Sequence, residues 1–192
     1  MKKIALLTAL LILAACSGSG KGPPRNLDDA CSMKSQRPGW FKAMDKTERK
    51  WGVPTPVQMS TIYHESRFVP NAKTQYRFAL GVIPMGRQSS ATGYAQAIDS
   101  TWDWYKSEAG GFGARRSNYA DSVDFIGWYM NKTEKRNGVS KFDMYNQYLA
   151  YHDGHTGYAR GTYRKKSWLL RVANDAEARA IMYQNQLRTC GG

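Results

Sequence analysis

The sequence predicts a mostly α-helical domain with a loop-rich middle section or a small β-hairpin insertion. Several stretches carry apolar residues at the three- and four-residue spacing of an amphipathic helix. Their ends coincide with capping residues, Gly or Pro, which are the usual signals for helix boundaries. Residues 69–95 are instead punctuated by Gly and Pro, and the run RFALGVIPMG within them is typical of a short hairpin.

Two helices are predicted before the loop-rich section. The first covers residues 37–52 and ends on a glycine. The second is expected to begin with Thr55 as its N-cap, a proline at the first helical position, and Gln58 completing a capping box. Because Pro70 disfavours helical angles at the residue before it, this helix should end at residues 66–68.

Four further helices are predicted after the loop-rich section. The first three should each begin at a Ser or Asn that is followed three residues later by Asp, a pattern that satisfies the first backbone N–H groups. A break is expected in the fourth, which covers residues 167–187. The predicted capping pairs are Ser100 with Asp103, Asn118 with Asp121 and Ser140 with Asp143. The helix that begins at Asn118 is predicted to run to Gly138. The break in the fourth helix is expected near Asn174 and Asp175.

The first 26 residues precede the globular part. Residues 1–15, MKKIALLTALLILAA, have the basic start, apolar run and small-residue end of a secretory signal peptide. The ending LAAC resembles a bacterial lipobox, so Cys16 is expected to be lipidated; a plain signal peptide would leave it an unexplained exposed thiol. Residues 16–26 are then a lipidated N-terminus and flexible linker, and residues 27–192 are the globular domain. Ser17 replaces the aspartate of an inner-membrane retention signal, which favours the periplasmic face of the outer membrane.

Cysteine usage agrees with export. With Cys16 lipidated, Cys31 and Cys190 remain, and two leftover thiols in an oxidising compartment usually form a disulfide. Closing so long a loop could contribute roughly 4–5 kcal/mol by the chain-entropy model. The alternative is a pair of buried free thiols.

The formal net charge of +13 suits nucleic acid, anionic lipid or an acidic polymer as partner. Export excludes nucleic acid as a routine partner, and the scattered cations form no basic-aromatic recognition motif. The anionic partners that remain in a cell envelope are lipid head groups and peptidoglycan, whose stem peptides carry carboxylates.

Glu65 is an acidic residue that helix capping does not explain. Predicted helix N-termini, where negative charge is favourable, account for Asp99, Asp103, Asp121, Asp143 and Asp175. Glu65 lies at the opposite end of its helix, where the backbone carbonyls should raise its pKa, and burial in a cleft would raise the pKa further. A carboxyl that is protonated near neutral pH can act as a general acid.

Three short motifs follow one another along the chain. They are Glu65-Ser66-Arg67-Phe68, Gly93-Tyr94-Ala95-Gln96 and Ala150-Tyr151-His152-Asp153-Gly154. Their order and spacing resemble the lysozyme-like lytic transglycosylases of the soluble (SLT) type, in a small lipoprotein subfamily. That family has a catalytic Glu followed by Ser and an aromatic, then Gly-Leu-Met-Gln, then Ala-Tyr-Asn-Ala-Gly. The resemblance covers about residues 55–160.

The resemblance implies a lysozyme-like helical fold and a glycan cleft. It also implies cleavage of peptidoglycan strands that leaves 1,6-anhydromuramoyl ends, with Glu65 as acid and then base and with no cofactor. Carried over by position, Ser66, Gln96, Tyr151 and His152 become the substrate-binding residues, and Tyr151 is expected to orient Glu65. An envelope-spanning machine is left open as a further partner.

Two departures from the family pattern concern the chemistry. Tyr94-Ala95 replaces Leu-Met, which alters the shape of the cleft but not proton transfer. His152-Asp153 replaces Asn-Ala, and a carboxylate at Asp153 could position a water molecule and favour hydrolysis. A hydrolytic muramidase of the same fold is therefore the first alternative.

Two other functions compete with the glycosidic reaction. His64, His152, Asp153 and His155 could form a metal site with Glu65 as base, which would make a zinc peptidase or amidase. The sequence lacks the second histidine of H-E-x-x-H, however. A non-catalytic peptidoglycan-binding lipoprotein would keep the fold and use its many Tyr and Trp residues for sugar stacking, but such residues serve equally well in a core.

Overall fold

The computed structural model of the protein describes residues 22–80 and 82–190. The predicted signal peptide and Cys16 lie outside this part of the chain. Within it are seven α-helices, a two-stranded sheet, a π-helical turn at Lys106–Gly110 and a 3-10 turn at Thr162–Lys165. The elements are α1 (Ala30–Gln36), α2 (Pro38–Trp51), α3 (Thr55–Ser66), β1 (Tyr76–Ala79), β2 (Ile83–Arg87), α4 (Asp99–Tyr105), α5 (Tyr119–Asn137), α6 (Met144–Ala159) and α7 (Ser167–Cys190).

The structure confirms a mostly α domain with a small β-hairpin in its middle section. Strands β1 and β2 pair antiparallel, with Ala79 opposite Ile83 and Tyr76 opposite Arg87. The register of the two strands shifts between Tyr76 and Phe78. The hairpin follows α3 and precedes the Gly93–Gln96 motif, so its base lies between two of the three motifs.

Helix α3 is the central helix of the domain. It packs against α2, α5 and α7, and most of its residues are buried. Its buried hydroxyls are satisfied, since Ser60 donates to the Ala176 carbonyl of α7 at 2.7 Å and Thr61 donates to the Val57 carbonyl at 2.8 Å. A helix held on several sides fixes the position of whatever its last turn carries, and that residue is Glu65.

The predicted capping box at the start of α3 is wrong. Pro54 is the N-cap, and Thr55 is already helical. The Glu48 carboxylate of α2 accepts hydrogen bonds from the Thr55 amide at 2.8 Å and from its hydroxyl at 2.9 Å. Gln58 is fully buried and donates to the Val53 carbonyl at 2.8 Å. A carboxylate from the preceding helix therefore caps the start of α3, in place of the predicted capping box.

Of the other predicted helix N-termini, one is confirmed and two differ from the structure. Asn118 caps α5 as predicted, accepting from the Asp121 amide at 3.1 Å. Helix α6 is capped by Asp143, which accepts from the Asn146 amide at 3.0 Å, and not by Ser140. Helix α4 begins at Asp99, one residue before the predicted Ser100.

The predicted break in the last helix is also wrong. Helix α7 is continuous, and the Asn174 side chain donates to the Leu170 carbonyl one turn earlier, at 2.9 Å. Ala173 and Ala176 on either side of this point are fully buried, so tertiary packing carries the helix through two weak helix formers. Helix α1 was not predicted.

The predicted disulfide between Cys31 and Cys190 is confirmed. It joins α1 to the last residue of α7 across 159 positions. Hydrogen bonds reinforce the junction, since Gln186 accepts from the Ala30 amide at 2.9 Å and Tyr183 donates to the Leu27 carbonyl at 2.5 Å. No helix in the described residues is both long enough and apolar enough to cross a membrane.

Candidate active site

A cleft of about 640 Å³ opens where the end of α3, the base of the hairpin, and helices α5 and α6 meet. Its lining includes residues from all three motifs that the sequence singled out. They are Glu65 from the first, Gln96 from the second, and Tyr151, His152, Asp153 and Gly154 from the third. The structure thus brings together motif residues that lie up to 89 positions apart in the sequence.

Glu65 sits in the last turn of α3 and faces the cleft. Its Oε1 atom is buried and has no hydrogen-bond partner among the described residues. Burial raises the pKa of the Glu65 carboxyl to about 7, and hydrogen bonding from the Tyr148 side chain opposes this rise. The sequence predicted the direction of this shift, but burial is its main cause. The carboxyl is about half protonated near neutral pH.

Two consecutive residues with left-handed backbone angles follow Glu65 closely. Arg67 has φ 52° and ends α3, and Phe68 has φ 61°, which costs a bulky residue conformational energy. Phe68 is fully buried and stacks on Trp40 at 5.7 Å, and Trp40 stacks on Tyr119 at 4.1 Å. This aromatic stack stabilises the turn that ends α3 directly after Glu65.

The second motif is held against the body of the domain by its glycine. Gly93 has φ 82°, and a Cβ atom there would lie 2.1 Å from the Arg116 carbonyl oxygen. Gln96 donates from Nε2 to the Ala72 carbonyl at 3.0 Å and to the Gly93 carbonyl at 2.8 Å. Both amide hydrogens are engaged, so the side-chain oxygen is what Gln96 can offer to a ligand hydroxyl.

Tyr151 connects the second and third motifs. Its hydroxyl donates to the Ala95 carbonyl at 2.6 Å, so it holds the Gly93–Gln96 segment against α6. Burial and the negative charge of Glu65 raise the pKa of Tyr151 well above its usual value. The tyrosine whose side chain hydrogen-bonds toward Glu65 is Tyr148, one helical turn earlier on α6.

Sequence reasoning missed Tyr148. A buried tyrosine has no local signature that separates it from other core residues. Its spacing was the available signal, because residues three apart on a helix share a face, and Tyr151 was already expected beside Glu65.

Comparison with known families agrees with this geometry. The sequence matches the family model described as "Transglycosylase SLT domain" over residues 4–190, nearly the whole chain. The chain belongs to the transglycosylase SLT domain family. The resemblance based on the three motifs is thereby confirmed, together with the lysozyme-like helical fold that it implied. No curated protein matches the sequence.

In this SLT domain, Asp153 is a carboxylate held in the cleft wall. Only 1% of its side chain is exposed, it forms an ion pair with Lys166, and it accepts from the Thr162 hydroxyl at 2.5 Å. Burial alone would raise the pKa of Asp153, but the hydrogen bonds from Lys166 and Thr162 outweigh it and the pKa is lowered. Asp153 is therefore charged and fully engaged at neutral pH.

His152 points an uncharged ring into the cleft of the SLT domain. Burial, with the nearby Lys166 charge, lowers the pKa of His152, so the ring is neutral at pH 7. It meets the Trp168 ring edge-on at 4.9 Å. After it, Gly154 takes φ 75° and ψ 157°, which makes a kink inside α6, and it also lines the cleft.

Ser66 is placed differently from the other residues of the predicted set. It is buried, its hydroxyl donates to the Ile62 carbonyl at 3.3 Å, and it is not among the described residues that line the cleft. The structure supplies a core position for it, and its predicted contact with sugar stays a prediction.

The histidines of the SLT domain do not converge. His155 is buried, its Nε2 lies 3.0 Å from the Thr133 hydroxyl, and its ring stacks on Tyr129 at 4.3 Å. Burial lowers the pKa of His155 to about 4. Across residues 22–80 and 82–190, no group of three or more His, Cys, Asp and Glu side chains is arranged to hold a metal ion. The arrangement therefore gives the metallopeptidase alternative no ligand set.

Proposed function

We propose that this SLT domain is a peptidoglycan lytic transglycosylase. It cleaves the MurNAc–GlcNAc glycosidic bond and leaves 1,6-anhydromuramoyl ends. The observation that carries the proposal is Glu65, a buried carboxyl with a pKa of about 7 in the cleft of a domain whose family is named for this activity. Such a group can give a proton and then take one at neutral pH.

The reaction needs one protein carboxyl in two successive roles. Protonated Glu65 gives its proton to the glycosidic oxygen, and the bond from that oxygen to the anomeric carbon C1 of MurNAc breaks. The Glu65 carboxylate then takes the proton from the C6 hydroxyl of the same MurNAc, whose oxygen forms the new bond to C1. The substrate supplies the nucleophile, so the enzyme ends the cycle with Glu65 protonated and no water consumed.

The state of Asp153 supports this product over hydrolysis. A two-carboxylate glycosidase needs a second acid as nucleophile or as the base that activates water. Asp153 is the second carboxylate among the described cleft-lining residues, and Lys166 and Thr162 already occupy its oxygens. A carboxylate with both oxygens engaged is a poor base for a water molecule.

The other cleft residues receive positioning roles under this proposal. The Gln96 oxygen accepts from a sugar hydroxyl, and the neutral His152 ring hydrogen-bonds the glycan at the cleft mouth. Tyr151 holds the Gln96 segment in place, and hydrogen bonding from Tyr148 limits the rise in the Glu65 pKa that burial causes.

We also propose a place for the enzyme in the cell. The signal-peptide sequence, Cys16 in its lipobox-like setting and Ser17 support a lipid-anchored protein at the periplasmic face of the outer membrane. Peptidoglycan strands are then within reach, and an envelope-spanning machine is the kind of assembly that such an enzyme would serve.

The test is a digestion of purified peptidoglycan by residues 17–192, with the muropeptides identified by mass spectrometry. The wild-type protein should release anhydromuramoyl ends, and Glu65→Gln should be slower by roughly 10²–10⁴-fold because it cannot transfer a proton. Glu134→Gln removes a carboxylate that pairs with Lys141 outside the cleft and is the matched control. Asp153→Asn tests the hydrolytic alternative. If Asp153 is not the base that activates water, this variant should release the same anhydromuramoyl product as the wild type.

Each other outcome contradicts part of the proposal. Reducing ends in place of anhydro ends would identify a muramidase. Cut stem peptides with intact glycan would identify a peptidase, and no cleavage by any of these proteins would favour a binding role.

A further inference from the structure

The tip of the hairpin exposes an unusual concentration of apolar side chains. Eleven large apolar residues are exposed in the described chain, and five of them belong to this one hairpin. Leu80 is 90% exposed, Val82 76% and Met85 62%. Tyr76 and Ile83 are each 51% exposed. We call these five residues the hairpin patch.

The fold itself gives the hairpin patch no reason to be apolar. A two-stranded hairpin with nine strand residues contributes little stability by itself and could carry polar residues at a turn facing water. Exposed apolar residues that cluster, in contrast to single ones, mark a surface that binds something.

The charge around the hairpin patch indicates what it binds. Residues 66–98 contain four cations, Arg67, Lys73, Arg77 and Arg87, and no Asp or Glu. Arg87 lies over the Tyr76 ring at 4.4 Å, so a cation borders the apolar surface directly. Apolar side chains flanked by Lys and Arg, without acids, fit an anionic lipid surface, where the apolar groups enter the interface and the cations meet phosphates.

The beginning of the described chain is connected to the hairpin base by a short series of contacts. The Gly22 carbonyl accepts from Arg37 at 2.8 Å, and Arg37 lies 5.7 Å from the Trp40 ring. Trp40 meets Tyr94 at 5.7 Å, and the residue before Tyr94 donates its amide to the Ala72 carbonyl at 2.9 Å, next to the hairpin base.

We propose that the hairpin patch docks on an anionic phospholipid bilayer. Leu80, Val82, Ile83 and Met85 enter the interface, and Lys73 and Arg87 lie at the depth of the phosphates. Because Thr74, Gln88 and Ser89 at the hairpin base line the cleft, docking would hold the cleft close to the membrane surface. The proposal is independent of the reaction in the cleft and of the lipid predicted at Cys16.

The test uses residues 17–192 without lipid and sucrose-loaded vesicles of phosphatidylglycerol and phosphatidylethanolamine. The protein should sediment with these vesicles, bind pure phosphatidylcholine vesicles less, and dissociate as salt rises. The double variant Leu80→Asp with Val82→Asp should bind roughly tenfold more weakly or worse, since each change removes a side chain that the interface would bury. Lys73→Gln with Arg87→Gln should lose the preference for anionic lipid.

Phe142→Asp is the matched control. Phe142 is 76% exposed, like Val82, but lies beside the start of α6, away from the hairpin. It should bind vesicles as the wild type does, and circular dichroism should show all variants folded. Absence of wild-type sedimentation, or equal loss from Phe142→Asp and the hairpin variants, would overturn the proposal and leave a protein partner as the occupant of the patch.

Discussion

Glu65 should make the stability of the domain, as well as its activity, depend on pH. Its pKa is about 7 in the folded protein, against an ordinary value of 4.5. Between these two values the folded state binds more protons than the unfolded chain, so the free energy of unfolding falls as pH rises through this window. A shift of this size corresponds to about 3 kcal/mol between pH 4 and pH 8.

Glu65→Gln should therefore become more stable than the wild type as pH rises. Gln cannot ionise, so the variant avoids a buried charge above pH 7, while below pH 4.5 wild-type Glu65 is neutral too. We expect the difference in Tm to grow by an amount on the order of 5–10 °C between pH 4 and pH 8. Thermal melts of both proteins across that range measure it, and a constant difference would show that Glu65 is not buried as described.

Tyr148 lowers the upper pH limit of the proposed reaction, which burial of Glu65 raises. Hydrogen bonding from Tyr148 lowers the Glu65 pKa, so Tyr148→Phe should raise it. The proton donor would then persist to higher pH, and the alkaline limb of the pH–rate profile, near pH 7 in the wild type, should move upward. Initial rates of muropeptide release from pH 5 to pH 9 give the two profiles.

Tyr151→Phe separates this effect from a general loss of structure. The Tyr151 hydroxyl donates to the Ala95 carbonyl, so its removal should loosen the Gly93–Gln96 segment and raise KM. The alkaline limb should stay where it is. If both variants shift the limb equally, Tyr148 has no special role in setting the Glu65 pKa.

At the scale of elements, the sequence predicted what local contacts determine. Asn118 and Gly138 bound α5 as predicted, because each acts on backbone groups within one turn. The start of α3 was wrong because its cap comes from Glu48 in another helix, and the break at Asn174 was wrong because buried alanines on α7 outweigh local propensity. Residues that are distant in sequence decided both cases.

Gly93 shows how one backbone position supports an element of the site. Alanine there would be strained at φ 82° and would also place Cβ against the Arg116 carbonyl oxygen, at 2.1 Å. Gly138→Ala is the matched control, since Gly138 has φ 71° with open space around its Cβ position. We expect Gly93→Ala to cost about 2 kcal/mol more free energy of unfolding than Gly138→Ala. Urea denaturation of both variants checks this, and equal costs would mean that the Arg116 loop moves aside freely.

At the scale of the whole molecule, the site is assembled from three motifs. Their order along the chain could be predicted from the sequence, but their positions in space could not. Glu65 stood out because of its position at a helix end, and Gln96 and Tyr151 because of their order in the family pattern. The engagement of Asp153 by Lys166 could not be predicted, since it depends on how the chain returns after the kink at Gly154. The disulfide could be predicted, because pairing two remaining cysteines needs only a count.

The Cys31–Cys190 disulfide stabilises the whole domain from its two ends. Because it closes a loop of 159 residues, its loss could cost up to about 5 kcal/mol by the chain-entropy model. The double variant Cys31→Ser with Cys190→Ser should therefore melt well below the wild type, and the reduced wild type should melt at the same temperature as the variant.

Loss of the disulfide should leave α3, the helix that carries Glu65, intact below the melting transition. Tyr183 and Gln186 still tie α7 to the residues around α1, and α3 packs against α2, α5 and α7. Hydrogen exchange should show α1 amides losing protection first, while α3 amides keep the protection of global unfolding. Equal loss in α1 and α3 under native conditions would mean that the covalent link between the chain ends, and not the packing around α3, holds Glu65 in its cleft.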